Sequence, residues 1–204
     1  MTQALPRPDS KPAKDEQILD AALRLFAQFG YRRTSMDDIA REAGMAKGTV
    51  YARFESKEAI FRAMQARNAA DVLALCDAAL DARGLAFHER LYRLLDAHYG
   101  LVYERFGASD YLAELNATRT SVGREEAEAL DKSYRERIAK LIADAARRGE
   151  IDPAKTGLSG DALARQLIGG AVGAKYAGGM PASVSAYRER LAEFAKLAAA
   201  ALGA

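Results

Sequence analysis

A single cysteine in 204 residues, Cys76, rules out an intrachain disulfide and offers no basis for a thiolate metal site. Its neighbours Val72, Leu73, Leu75 and Leu80 mark it as a buried small hydrophobe. With no second thiol to resolve it, a redox-sensing role is the weaker reading. Long apolar runs are missing too: none approaches the roughly 18 residues of a membrane span. The segment Met1–Ser10 carries prolines and charges where a secretory signal would be apolar. These absences predict a soluble, cytoplasmic chain with no membrane partner. No stretch alternates convincingly at period two, which argues against strands. Charge of one sign is scarce as well: 30 basic against 28 acidic side chains leave a net charge of only +2. Bulk charge therefore says little about nucleic acid, and any such argument rests on local geometry. The two histidines, His88 and His98, are ten residues apart and fall on different faces of one helix. There is no Glu-x-x-His pair, Ser–His–Asp set or glycine-rich phosphate loop. The reading is a chain with no catalytic residues, no metal, no cofactor and no enzymatic activity.

What is present is helical periodicity in half-apolar material (50% hydrophobic residues). Pro6 and Pro8, with Pro12 just beyond, sit in a polar tail over 1–11 that reads as disordered. Ile18, Ala22, Leu25, Phe26 and Phe29 then recur at helix spacing until Gly30. Met36, Ile39, Ala40 and Ala43 predict a short second helix, opened by a capping-box-like Ser35/Asp38 pair and closed by Gly44. A third short helix is expected over 46–54 with Val50 and Phe54 inward, and Ser56-Lys57-Glu58 opens a fourth. Longer helices are predicted over 87–106, 111–120, 124–148, 159–177 and 182–202. Gly149 and Pro153 stop one of these, and Gly178 to Pro181 separate the last two. The fold class is all-α.

The informative part is 35–54. Two short helices joined by Gly44-Met45-Ala46 turn sharply, and packing Ile39 and Ala40 against Val50 and Phe54 sets them at a steep angle. The outer face, with Lys47, Thr49, Tyr51 and Arg53, is then free to enter a DNA major groove. From Gly44 to Phe54 the only charges are Lys47 and Arg53, and Arg32-Arg33 lie just upstream. Lys47 and Arg53 suit phosphates, Arg53 alternatively a guanine edge. Thr49 suits a phosphate oxygen or a thymine methyl, and the Tyr51 hydroxyl a phosphate. Gly48 lets the backbone approach closely, Ser35 marks a helix start attractive to phosphate, and Lys57 reaches a phosphate from the far side. The candidate DNA-contact set is Arg33, Ser35, Met36, Lys47, Gly48, Thr49, Tyr51, Arg53 and Lys57. Loss of one such ion pair is expected to lower the salt slope of binding by about 0.9.

The runs Thr34-Ser-Met-Asp-Asp-Ile-Ala40, Ala43-Gly-Met-Ala-Lys-Gly-Thr-Val-Tyr-Ala-Arg-Phe54 and Ser56-Lys-Glu-Ala-Ile-Phe61 closely resemble the N-terminal domain of the tetracycline-repressor (TetR) family. Leu25-Phe26 and Phe29-Gly-Tyr31 resemble the end of that family's first helix, so the resemblance covers about 14–64. It implies an operator-binding homodimer of helical subunits, usually a repressor released by a small ligand. It also implies that Ser35, Lys47, Thr49, Tyr51 and Lys57 match common DNA-contact positions. The chain departs from the family at Ala52-Arg53, where an aromatic residue or histidine is frequent. The expected organisation is a tail over 1–11, a three-helix DNA-binding domain over 12–72, and a larger helical effector-binding and dimerisation domain over 73–204.

Beyond 64 the residues must speak alone. Leu163, Leu167 and Ala171 form one stripe and Tyr187, Leu191, Phe194 and Ala198 another, read as a dimer interface, with ordinary packing inside one subunit as the alternative. His98, Tyr99, Tyr103, Phe106, Tyr111, Asn116 and Tyr134 are candidates for an aromatic-walled effector pocket. Aromatics at helical spacing are also what an ordinary core requires.

Overall fold

The computed structural model describes residues 11–107 and 109–204, and side chains from Ala13 onward. The expected tail lies outside the described residues except for Lys11, where the first helix opens. Every regular element among them is helical: α1 (Lys11–Phe29), α2 (Met36–Glu42), α3 (Lys47–Tyr51), α4 (Lys57–Asp81), α5 (Phe87–Leu95), α6 (Leu101–Phe106), α7 (Leu112–Ser121), α8 (Arg124–Arg147), α9 (Gly160–Ala174) and α10 (Val184–Ala201). No helix among the described residues is long and apolar enough to cross a membrane.

The chain forms two compact units, and the first combines the residues up to Asn68 with Ser109–Ala127. The stretch holding α7 therefore belongs with the N-terminal helices, not with the helices that flank it in sequence. In the first unit, Ile18, Ala22 and Phe26 of α1 are buried with Ile39 and Ala40 of α2, Val50 of α3 and Ile60, Phe61 and Met64 of α4. Phe29, at the end of the α1 stripe, is instead largely exposed. Phe26, Tyr31 and Phe61 form a ring cluster with centroids 5.3–5.9 Å apart. Arg67 of α4 donates to Glu16 (2.7 Å) and Asp20 (2.8 Å) of α1. At the other side, Ser109 Oγ donates to the Ala27 carbonyl at 2.5 Å, and Arg62 Nε to the Val122 carbonyl at 3.0 Å, tying down the segments on both sides of α7.

The second unit, Ala69–Ala108 with Glu128–Ala204, is a bundle around Leu91, Leu94, Leu95, Ile138, Leu141, Leu167 and Leu191. α10 packs against both α5 and α9. Periodicity predicts one unbroken helix over 87–106, but a π-helical turn at Asp96–Gly100 divides α5 from α6. A Cβ at Gly100 would lie 1.7 Å from Asp96 Oδ1, so only glycine leaves room for that carboxylate. Arg188 of α10 then bridges Asp96 and Glu104, each at 2.8 Å. The insertion moves the residues beyond it off the 3.6 period that the sequence reading assumed.

Candidate nucleic-acid interface

α2 is made by its ends. Ser35 is its N-cap: the hydroxyl accepts from Asp38 N at 3.1 Å, and the Asp38 carboxylate takes Ser35 N at 3.0 Å and Ser35 Oγ at 2.6 Å. Those hydrogen bonds hold the Asp38 carboxyl below its usual pKa, with Arg41 adding to the effect. At the far end Met45 N donates to Ala40 O and Gly44 N to Arg41 O, a Schellman closure. Gly44, at φ +65°, supplies the left-handed residue this turn requires. The chain re-enters a helix at once, with Val50 fully buried under α3 and Tyr51 exposed on its outer side. Phe54, expected inward, is half-buried just beyond α3.

The face left open carries Ser35, Lys47, Gly48 and Tyr51, all exposed, with Met36 and Thr49 half-buried beside them. A Cβ built at Gly48 meets nothing within 4 Å, so the backbone there is accessible. Lys47 pairs with Asp37 at 2.8 Å, and its ammonium lies 5.7 Å from the centre of the Tyr51 ring. The Asp37 hydrogen bond raises the Lys47 pKa. Both partners are solvated, so this pair costs little to exchange for another anion.

Three candidate cations are held differently from the sequence expectation. Arg53 turns back to α1 and pairs with Asp15, its side chain only 14% exposed. Arg33 donates to the Tyr111 hydroxyl at 3.2 Å and lies over that ring. Lys57 donates to the carbonyls of Tyr31 (2.8 Å) and Thr34 (2.7 Å), with that of Arg32 at 3.5 Å. Sequence reasoning missed the partners Asp15, Asp37 and Tyr111. Only Asp37 lies near its cation in sequence, and Tyr111 is 78 residues from Arg33.

The remaining candidates scatter. His98 stacks on Tyr99 and meets Tyr134 edge-on, each with centroids 4.7 Å apart. Tyr134 donates to the Leu94 carbonyl and Tyr103 to that of Pro181, as satisfied core tyrosines do. Burial pushes the Tyr134 phenol well above its ordinary pKa. Phe106 is half-buried in the same unit, whereas Tyr111 and Asn116 belong to the first. The seven aromatic and polar candidates thus do not form one constellation within either unit. The expected dimer stripe needs correction as well. Leu163, Leu167, Ala171, Tyr187, Leu191 and Ala198 are buried within the single subunit and Phe194 is half-buried against the same core. The tip of the Phe194 ring meets Gly170, where a Cβ would come within 2.1 Å of Cζ. The six buried side chains have no surface left for a second copy, whereas Phe194 keeps part of its ring accessible. Cys76 is buried, and its thiol is pushed up to about 12 by that burial, which disfavours the reactive thiolate. Among the described residues no cluster of His, Cys, Asp or Glu could hold a metal.

A short helix capped by Ser35, a glycine turn, and a second short helix with its polar face outward constitute a helix-turn-helix. Residues 18–64 match the family model for bacterial regulatory proteins of the tetR family. The chain is 30% identical over 136 residues to the uncharacterized HTH-type transcriptional regulator YhgD of Bacillus subtilis, covering 67% of this chain and 71% of that one. It is 27% identical over 167 residues to the fatty acid metabolism regulator protein of the same organism, covering 79% and 81%. Among solved structures, the transcriptional regulator FadR from Bacillus subtilis in complex with stearoyl-CoA superposes with a TM-score of 0.65 at 20% identity, over 88% of this chain and 96% of that one. The chain belongs to the tetR family and is a DNA-binding transcriptional regulator.

Proposed function

We propose that this regulator is a cytoplasmic repressor that binds a two-fold symmetric operator as a homodimer and leaves it when a small molecule binds. The observation that carries the reading is the open face of α2 and α3. Ser35, Met36, Lys47, Gly48, Thr49 and Tyr51 share it, and the cation among them, Lys47, is held by a solvated ion pair and the Tyr51 ring. Arg33 borders this face from the preceding turn. Arg53 is a structural partner of α1 in this reading, so base readout falls to Thr49 and Tyr51. Ligand release is supported by the FadR relative, whose structure holds stearoyl-CoA.

The homodimer is supported by the outward faces of α9 and α10. Val172 on α9, Tyr176 just beyond it and Leu197 on α10 are 45%, 60% and 69% exposed, and a Cβ at Gly169 or Gly173 of α9 would meet nothing within 4 Å. That combination of large apolar and absent side chains suits close packing of a second copy. Selection of duplexes from a random pool by the purified protein tests the reading. The expected product is an inverted repeat with half-sites about one helical turn apart or somewhat more. A pool without symmetry or enrichment overturns it. Leu197→Asp is expected to yield a folded monomer by sedimentation, since the position is exposed. A dimer of undiminished stability would move the interface elsewhere.

A further inference from the structure

Two adjacent acidic residues open α2, and the fold uses them differently. Asp38 belongs to the helix start: its carboxylate takes Ser35 N and Oγ and pairs with Arg41. Asp37 makes no cap contact. Both of its oxygens face the Lys47 ammonium, at 2.8 and 2.9 Å, across the Gly44 turn and ten residues along the chain. Asp37 has no other hydrogen-bond or ion-pair partner among the described residues. The pair therefore joins the two helices of the helix-turn-helix, and both side chains are exposed on the face left open for DNA. The Tyr51 ring, 5.7 Å from the same ammonium, lies beside them.

A carboxylate is an unfavourable group to aim at a polyanion, because phosphates repel it whatever the base sequence. The helix start does not require it, since Asp38 already makes the capping box. What Asp37 does instead is occupy the ammonium of the open face. Non-specific binding is almost wholly neutralisation of phosphates, so a cation held back from DNA weakens that mode most. A carboxylate tethered next to Lys47 has a high effective concentration there, which a phosphate in a loosely seated complex does not match.

We propose that Asp37 is a positioning residue for specificity: it withholds Lys47 from the phosphates of non-operator DNA and yields it where α3 is fully seated. The inference rests on the DNA-binding reading of this face. On the operator, base contacts from Thr49 and Tyr51 fix the depth of α3 and bring a phosphate within reach, and a solvated pair then exchanges readily. Asp37→Asn removes the charge and keeps the shape, with Asp37→Ser as a second neutral variant, and Asp37→Glu keeps the charge. Lys47→Met is made alone and together with Asp37→Asn. Circular dichroism melting checks that each protein is folded. Each is titrated over about 50–200 mM salt against the duplex that the wild-type protein selects and against a scrambled duplex of equal length.

Asp37→Asn is expected to bind the scrambled duplex about threefold more tightly at low salt, with a slope steeper by about 0.9. Operator affinity is expected to stay close to wild type, so the specificity ratio falls, and Asp37→Glu is expected to retain it. In the Lys47→Met background the gain from Asp37→Asn is expected to vanish. A gain that survives without Lys47 means that the carboxylate repels DNA directly, and it overturns the proposal. So does a slope that Asp37→Asn leaves unchanged, or an operator affinity that rises as much as the scrambled one. A wild-type protein that binds neither duplex takes down the DNA-binding reading and this inference with it. One that discriminates between the duplexes while the variants fail these expectations loses this inference alone.

Discussion

Replacing Glu150 by alanine is expected to destabilise the second unit by about 3 kcal/mol. Arg90 of α5 is only 4% exposed and its guanidinium pairs with Glu150, which follows α8 and is held in turn by Arg148 Nε at 2.6 Å. Removing the carboxylate strands a charge in a site built to exclude water, and breaking such a pair from one side typically costs about 3–5 kcal/mol. The lower figure applies because Glu150 itself is about a third exposed, so water can reach part of the vacated site. The reverse strategy should behave differently. Arg90 Nε is buried without a hydrogen-bond partner among the described residues, so the native pair is imperfectly satisfied. The double variant Arg90→Met/Glu150→Gln, which puts an apolar side chain in the buried position and a neutral amide at the partly exposed one, is expected to return to within about 1 kcal/mol of wild type. Urea unfolding followed by circular dichroism measures both. A single variant that loses under 1 kcal/mol would mean that the guanidinium is solvated after all.

The second large effect is expected at Phe61, where truncation to alanine should cost the first unit about 3–5 kcal/mol. Phe61 is 1% exposed and its ring meets those of Phe26 and Tyr31 with centroids at 5.9 and 5.3 Å. It also approaches the Gly123 backbone, where a Cβ would sit 3.3 Å from the ring. The deletion therefore empties a site shared by α1, α4 and the segment after α7, and the rings around it have little freedom to collapse inward. Phe61→Leu refills most of the volume and is expected to recover more than half the loss. DNA affinity should fall as Tyr31 mobility rises, because Tyr31 carries the turn that Lys57 grips. A Phe61→Ala protein as stable as wild type would show that the ring cluster is not the anchor of this unit.

The N-terminal helices were readable because their signals are local. Ser35 and Asp38 are three residues apart, Gly44 must take a positive φ, and Val50 lies at the spacing needed to meet Ile39. The same locality explains what stayed hidden. Lys57 and Arg53 look in sequence like solvent-facing cations, and nothing adjacent announces the Tyr31–Thr34 carbonyls or Asp15 as their partners. The α9 and α10 stripes were correctly apolar, yet an apolar stripe does not say which neighbour covers it. Here Leu167 and Leu191 are covered by their own subunit. The π-helical turn was invisible because periodicity assumes a constant number of residues per turn, and the Gly100–Asp96 contact that accompanies it lies along one helix.

The place of α7 in the first unit bears on how the chain is made. Four helices of that unit begin before residue 60, yet Tyr111 and Glu114, which brace the turn between the first two, are translated roughly fifty residues later. At ordinary synthesis rates of about 5–20 residues per second the nascent N-terminal helices wait several seconds for that brace. Closing so long a loop also raises the contact order of what would otherwise be a fast-folding local bundle. A nascent chain arrested before Ser109 is thus expected to present a helix-turn-helix whose leading turn is gripped by Lys57 alone.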